Sequence, residues 1–290
     1  MVSAAKIKEL REMTSAGMMD CKKALEATNG DMDEAVKWLR EKGIMKAAKK
    51  ESRIAAEGVC RVEVQGNLAT VFEVNSETDF VAKNQKFIDL VDTIAKAILS
   101  NKAKNDEEAL EAEYEGQKVK DIIVSAVATI GEKITLRRVS LVEKTDSQVF
   151  GAYTHMNGKI VVLTVLEGGT EEVAKDVCMH IAAMNPKYID KSCVDAEFLA
   201  NETEIARQET LNEGKPEKIV DKIVEGKIHK LLKSVCLVDQ PFVKNEDVTV
   251  GEYVHTNKAE IKQYIRLAVG EGIEKRKDDF AAEVMAAVNK

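Results

Sequence analysis

The chain has 290 residues, of which 44% are hydrophobic and 32% are charged, a balance typical of a soluble globular protein with two or three modules. Its formal net charge of −7 argues against a nucleic-acid binder, because such proteins normally carry a basic face. No run of apolar residues approaches the roughly 18–20 that a membrane span needs, and residues 1–8 lack the apolar centre of a secretion signal. The five cysteines include no C-x-x-C pair, which favours free thiols in a reducing compartment over disulfides or a zinc site. These properties predict a cytoplasmic protein.

Residues 6–40 predict three short helices that form one compact unit of the ubiquitin-associated type. Asp31, followed three residues later by Glu34, has the pattern of a capping box at the start of the third helix. The basic residues 46–50 predict a helical, solvent-exposed connector. The buried face of the third helix is predicted to consist of Ala35, Val36, Trp38 and Leu39.

An internal repeat follows, with a constant offset of 92 residues. Residues 68–74 overlay 160–166, and the hexapeptide 78–83 (TDFVAK) overlays 170–175 (TEEVAK) without a gap. Each copy predicts a turn, an apolar strand, a polar loop and the start of a helix. Duplicated strand–strand–helix modules imply an α+β fold with two core subdomains built on antiparallel sheets.

The two hexapeptides differ most informatively at one position, which is Phe80 in the first copy and Glu172 in the second. Threonine at the N-cap followed by acidic residues is ordinary chemistry for a helix start, and Asp79 conforms to it. Phe80 instead places a large apolar ring where a helix start usually faces water. Two interpretations are open: the ring folds back as a hydrophobic staple on its own helix, or it is an exposed wedge beside a carboxylate, presented to a partner.

Within the first core, the hexapeptide is followed by a predicted helix through Leu99, then by another helix over 119–130 and a last strand over 134–142. The second core contains an inserted helical hairpin, broken at residues 212–216 by a Gly and a Pro. An apolar stripe from Ile219 to Leu232 on its second helix suits packing within one chain, pairing of two copies, or contact with another partner.

Towards the carboxyl end, a strand is predicted over 264–269 and a last helix over 279–288. The predicted domains are a three-helix module with its basic connector (1–54), an amino-terminal core subdomain (55–144), a carboxyl-terminal core subdomain (145–185 and 235–272), the inserted helical hairpin (186–234) and a carboxyl-terminal helical module (273–290).

The sequence contains no recognisable catalytic motif, neither a phosphate loop G-x-x-x-x-G-K-[ST] nor G-x-S-x-G nor H-E-x-x-H. The histidines lack metal-type spacing. His155 ends a predicted strand and is a candidate partner contact, whereas His180 and His229 lie in helical runs and are interpreted as partly buried or solvated. No pair of carboxylates stands out as an acid–base couple. We therefore expect a protein that is not an enzyme and that binds no cofactor and no metal.

Three blocks of the sequence stand out as motifs: 10–14 with 17–25 and 29–31, then 73–83, and finally 240–243 with 265–275. Together they resemble signatures of the bacterial elongation factor Ts family. The resemblance implies a nucleotide exchange factor for elongation factor Tu, the GTPase that delivers aminoacyl-tRNA to the ribosome. Residues 101–118 resemble the family pattern less and are read as an insertion of variable length.

The resemblance also implies roles for individual residues. The tip residues would wedge between two helices of the GTPase domain near its magnesium site; they are Thr78, Asp79, Phe80 and Val81. Arg11, Met18 and Met19 match positions of the amino-terminal module that touch the GTPase domain, although burial within the three-helix unit is an equal alternative for Met19. His155 matches a contact position of the second subdomain, and the final helix matches another.

Other interpretations remain open at this point. They are a scaffold that binds ubiquitin-like proteins, a translation-associated scaffold or RNA binder without exchange activity, and a metabolic enzyme of the α+β class. Neither a direct nucleic-acid partner nor a membrane is expected. The sequence leaves the oligomeric state open, including a homodimer formed through the hairpin or the core.

Overall fold

The computed structural model describes residues 2–14 and 16–274 and has the α+β architecture expected from the repeat. The chain forms two compact units. The described part of the first comprises residues 2–14, 16–61, 72–141 and 267–274, and the second comprises residues 62–71 and 142–266. Among the described residues, no helix combines the length and the apolar character that a membrane span requires.

The amino-terminal helices are α1 (Ala4–Thr14), α2 (Met18–Ala27) and α3 (Met32–Ala48). Only one of the two hydrogen bonds of the predicted capping box forms. The Asp31 side chain accepts from the Glu34 amide, but the Glu34 carboxylate pairs with Lys37 at 2.7 Å. The small core of this module consists of Leu10, Cys21, Ala24, Leu25 and Ala35, with Val36, Trp38 and Leu39 packed against it.

Residues 46–48 continue α3, so the helical part of the prediction for 46–50 is confirmed there. Ala48 and Lys49 are exposed as expected, whereas Ala47 is partly buried and packs against the core of the first unit. The buried Gly43 lets α3 approach a later helix closely, because an added Cβ at Gly43 would lie 3.5 Å from the Cβ of Ala128.

The first core is a three-stranded sheet, in the order β1-β2-β5, covered by helices. Its elements are β1 (Glu57–Gln65), β2 (Leu68–Ser76), α4 (Asp79–Ala82), α5 (Gln85–Asn101), α6 (Asp106–Glu111), β3 (Glu113–Tyr114), β4 (Gln117–Lys118), α7 (Val119–Ile130) and β5 (Thr135–Glu143). The apolar face of α5 supplies much of the core, with Phe87, Ile94 and Ile98 fully buried.

The helix expected to follow the hexapeptide through Leu99 is α5, which is separate from the short helix inside the hexapeptide. The four-residue α4 ends at Ala82, and α5 starts afresh after Asn84, whose side chain accepts from the Lys86 amide. Residues 101–118, expected to be a variable insertion, are ordered as α6 and the antiparallel β3–β4 hairpin, with Ala109 and Ala112 in the core.

The second unit repeats this plan with the strand order β10-β7-β6. Its elements are β6 (Gln148–His155), β7 (Ile160–Gly168), α8 (Glu171–Met184), α9 (Ala196–Asn212), α10 (Glu217–Val235), β8 (Pro241–Phe242), β9 (Asn245–Thr249), α11 (Val250–Thr256) and β10 (Ala259–Ala268). Strands β6 and β7 pair antiparallel from Gln148↔Glu167 to His155↔Ile160.

The offset of 92 residues holds at the level of single residues. Strand β7 begins and ends 92 positions after β2, and each strand lies in the middle of its sheet. Thr78 and Thr170 are both N-caps whose side chains accept from the amide of the third helical residue. The repeat read from the sequence is thus a structural repeat.

The inserted hairpin is formed by α9 and α10, as expected, but its apolar stripe is not uniformly buried. Val220 and Val224 are buried with Ala206 of α9, and Ile228 packs against them. Ile219, at the start of the stripe, is 44% exposed.

The carboxyl-terminal strand is longer than the expected 264–269, because β10 begins at Ala259. The small elements β8, β9 and α11 had no counterpart in the sequence predictions. The helix expected over 279–288, and most of the predicted module 273–290, lie outside the described residues.

Candidate functional site

The hexapeptide tip is a single capped turn that carries an exposed aromatic ring. The Val81 amide donates to the Thr78 hydroxyl oxygen at 3.4 Å, and Asp79 pairs with Lys83 at 2.6 Å across one helical turn. Val81 is partly buried against the first core, and Ala82 is buried in it. The Phe80 ring is 80% exposed, so the exposed alternative describes this structure and the staple does not.

The corresponding helix start of the second unit has the same N-cap but exposes a different side chain. The Val173 amide donates to the Thr170 hydroxyl at 3.3 Å, and Val173 is buried as part of the second core. Glu171 and Glu172 occupy the first turn and are exposed. The fold therefore presents an apolar ring at one corner and a carboxylate at the equivalent position of the other.

The entry to α4 is held by two glutamates that exchange backbone hydrogen bonds. Glu132 accepts from the amides of Glu77 and Thr78, both at 3.0 Å, and from the Thr78 hydroxyl at 2.7 Å. In return, Glu77 accepts from the Lys133 amide at 2.6 Å and from the Arg53 guanidinium at 3.2 Å. The tip is thus tied to the segment that follows α7 and to the chain that follows α3. Sequence reasoning gave no role to Glu132.

A second feature that sequence reasoning missed is a buried charge in the middle of β2. Glu73 is fully buried and accepts from the Gly270 amide at 2.6 Å, from Asn75 Nδ2 at 2.7 Å and from Arg138 Nε at 3.0 Å. It fastens the segment after β10 to the sheet of the first unit. The signal was present in the repeat, because the residue 92 positions later is the apolar Val165.

The candidate residues of the amino-terminal module lie on its surface. Met18 and Met19 begin α2 and are 58% and 61% exposed, so burial within the three-helix unit does not apply to Met19. Arg11 is exposed on α1 and lines a shallow depression with Lys8, Glu12 and Lys86. Lys86 lies in the first turn of α5, so this depression lies between α1 and the helix that follows the tip in the chain.

His155 lies at the end of β6 in the second unit, where the chain turns towards β7. Its ring is partly buried, and Nδ1 is 3.1 Å from the hydroxyl of Tyr153. The next residues, Met156 and Asn157, have positive φ values of 48° and 54°, and Met156 is 68% exposed. The histidine is thus held at a tight turn beside an exposed methionine.

The other histidines have plain structural settings. His180 is fully buried, with Nε2 2.8 Å from Gln240 Oε1 and Nδ1 accepting from the Val243 amide. Burial lowers the pKa of His180 below its ordinary value. His229 is exposed on α10. In the part of the chain that the structure describes, no three His, Cys, Asp or Glu side chains are grouped so that they could hold a metal ion.

The sequence matches a known protein family. The family model described as Elongation factor TS matches residues 77–271, about two thirds of the chain. The matched region begins one residue before the N-cap of the Phe80 tip and extends over the second core and the helical hairpin to the segment held by Glu73. The chain therefore belongs to the elongation factor Ts family of translation elongation factors.

Proposed function

We propose that this chain is a guanine-nucleotide exchange factor that acts on elongation factor Tu in the cytoplasm. It binds the GDP form of that GTPase, disturbs its magnesium and phosphate site, and speeds GDP release during translation elongation. The observation that carries the proposal is the exposed Phe80 ring on a capped turn, in a chain of the elongation factor Ts family.

The tip residues have distinct parts in the proposed mechanism. Phe80 enters between two helices of the GTPase domain and separates them. Asp79 accompanies it as a carboxylate on the same turn, and Thr78 and Val81 hold that turn by capping and by packing. Tight GDP binding requires the phosphate loop and the bound magnesium ion to act together. Separating the helices displaces the supports of the ion, so the nucleotide loses affinity.

The energy required exceeds what one side chain supplies. Each tenfold in release rate corresponds to about 1.4 kcal/mol, so a ten-thousandfold acceleration needs about 5.5 kcal/mol. Burying one phenylalanine contributes about 1.5–3 kcal/mol. Further contacts must therefore hold the ring in place, and we assign that role to Arg11, Met18 and Met19 of the first unit and to His155 of the second. The flexible methionines suit a surface that adapts to a partner.

Thermodynamic linkage limits what such a factor can do. A protein that binds the nucleotide-free GTPase most tightly lowers the affinity of the GTPase for nucleotide. Because the coupling free energy is reciprocal, nucleotide lowers the affinity of the GTPase for that protein by the same factor. It changes the speed of exchange and leaves the ratio of GDP to GTP to their concentrations. No covalent bond is made or broken, so the protein acts as a binding factor rather than as an enzyme.

The test is the release of a fluorescent GDP analogue from elongation factor Tu. We expect the wild-type chain to accelerate release, Phe80→Ala to lose most of the acceleration, and Glu172→Ala to retain it. Glu172 is a matched control because it occupies the equivalent, exposed position of the second unit. If the wild type leaves the release rate unchanged at micromolar concentration, the exchange function is refuted. If the chain nevertheless bound the GTPase, it would be a scaffold without exchange activity.

A further inference from the structure

The Glu132 carboxylate determines how the N-cap of the tip is made. Thr78 has one hydroxyl hydrogen, and it is donated to Glu132 at 2.7 Å. The oxygen lone pairs are then left to accept from the Val81 amide, which is the cap of α4. The same carboxylate accepts the two amides that lead into the turn. One side chain thus orients both the backbone and the capping hydroxyl on which the Phe80 turn is built.

The segment that carries Glu132 is itself fastened to the amino-terminal helices. It follows α7, which ends at Gly131 with a φ of 92°. Lys50 donates to the Gly131 carbonyl, and Lys133 donates to the carbonyl of Glu51. Because α7 also packs against α3 at Gly43, the amino-terminal helices and the chain after them contact this support at two places, α7 itself and residues 131–133.

The second unit makes the same cap with a different support. The residues that correspond to Ser76 and Glu77 are Gly168 and Gly169, with φ values of 72° and 74°. An added Cβ at Gly168 would lie 2.5 Å from the Lys258 carbonyl oxygen, so this turn is held by close backbone packing. The carboxylate support therefore accompanies the copy that carries the aromatic ring.

We propose that Glu132 is a positioning residue for nucleotide exchange, which holds the Phe80 tip in its presented conformation before the GTPase arrives. The proposal rests on the exchange function proposed above. A turn of four residues is too short to be stable alone. Without Glu132, the turn must be ordered when the ring is inserted, after the other surfaces have bound, so a smaller fraction of complexes carries the ring in place.

The first experiment measures order at the tip, independently of exchange activity. Amide hydrogen exchange of peptides covering residues 76–84 is compared between the wild type, Glu132→Ala, and Glu132→Gln, which keeps one acceptor oxygen. Peptides over residues 168–176 of the second unit serve as an internal control. We expect faster exchange at 76–84 in Glu132→Ala, a smaller increase in Glu132→Gln, and no change at 168–176. Unchanged protection at 76–84 would overturn the proposal.

The second experiment measures GDP release over a range of factor concentrations. The loss of the Glu132 hydrogen bonds is expected to lower the saturating release rate about tenfold, which corresponds to about 1.4 kcal/mol. The half-saturating concentration should change much less, because the other contact surfaces are intact. In a Phe80→Ala background, Glu132→Ala should have no further effect, since it acts through the ring.

The outcomes separate this proposal from the exchange function. An inactive wild type refutes the exchange function, and the hydrogen-exchange comparison still decides whether Glu132 holds the tip. An active wild type with an unchanged saturating rate in Glu132→Ala overturns the positioning role. The positioning role is also overturned if the effects of Glu132→Ala and Phe80→Ala on the release rate are fully additive. Additivity would show a purely structural defect, which lowers activity whether or not the ring is present.

Discussion

Replacing Glu73 by valine tests the buried ion cluster of the first unit with a residue taken from the protein's own repeat. The equivalent position of the second unit is Val165, so valine is compatible with the central strand of this architecture. The substitution removes the carboxylate that accepts from the Gly270 amide, from Asn75 and from Arg138. It leaves the buried Gly270 amide without its acceptor and removes one acceptor of Arg138, which still donates to Glu271 and to the Ala268 carbonyl.

The expected cost follows from the burial of the two partners. Removing one member of a buried ion pair costs about 3–5 kcal/mol, because the remaining charge is left uncompensated. The Arg138 side chain is 24% exposed and also bonds Glu271. Water and the Glu271 carboxylate therefore partly compensate the charge of Arg138. We expect the free energy of unfolding to fall by an amount at the lower end of this range, about 3 kcal/mol.

A double-mutant cycle isolates the interaction from other effects of the substitution. Arg138 adopts a φ of 56°, in the left-handed region, so Arg138→Gly removes the charge and introduces no backbone strain. The variant with both Glu73→Val and Arg138→Gly leaves neither charge unpaired. We expect it to be more stable than the sum of the single changes predicts, by at least about 1 kcal/mol.

Urea denaturation followed by tryptophan fluorescence measures these stabilities. Trp38 is the only tryptophan of the sequence and lies in the first unit, as do Glu73 and Arg138. The midpoint and the slope are both recorded, so that a change in the unfolded state is recognised. A loss below about 1 kcal/mol for Glu73→Val, or additivity within about 0.5 kcal/mol in the cycle, would contradict the reasoning.

Two further predictions concern titratable groups. Because burial lowers the pKa of His180, its imidazole binds a proton more readily in the unfolded chain than in the folded chain. The free energy of unfolding is therefore retained above about pH 6.5 and falls as the pH drops below that value. The fall is at most about 1.4 kcal/mol per pH unit. The urea midpoint should fall between pH 7.5 and pH 5.5 in the wild type and in His229→Gln, and should fall less in His180→Gln. An equal fall in all three proteins would contradict the assignment to His180. Among the five cysteines only Cys193 is exposed, so a thiol reagent should label one equivalent in the native protein and none in Cys193→Ser. Labelling of further thiols before unfolding would show that the buried ones are more accessible than the structure indicates.

Much of the local structure could be predicted, because it depends on patterns that neighbouring residues carry. The bounds of α7 agree with the prediction over 119–130, and the offset of 92 residues locates both central strands and both N-caps. Helix caps and apolar periodicity act within a few residues, so the sequence displays them directly. The helix predicted to follow the hexapeptide corresponds to α5, but its N-cap Asn84 was not singled out, because it lies among the polar residues Lys83, Gln85 and Lys86.

The site was only partly predictable. The sequence singled out Phe80 by its difference from Glu172, but it left the staple and the exposed ring as alternatives. Choosing between them requires knowing which surface α4 turns towards the core, and Val81 and Ala82 occupy that surface. Glu132 gave no signal, because its partners lie more than fifty residues away in the chain.

By itself, the sequence determined the α+β class, the duplication, the helical hairpin and the position of the tip, since composition, periodicity and repetition are properties of the chain alone. The tertiary structure decided which charges are buried and what they hold. Glu73 is a satisfied carboxylate only because Arg138 and Gly270 reach it from distant segments, and Glu132 supports the tip only because the end of α7 lies beside the end of β2. Hydrogen bonds between segments depend on distances that the fold sets and that no local pattern encodes.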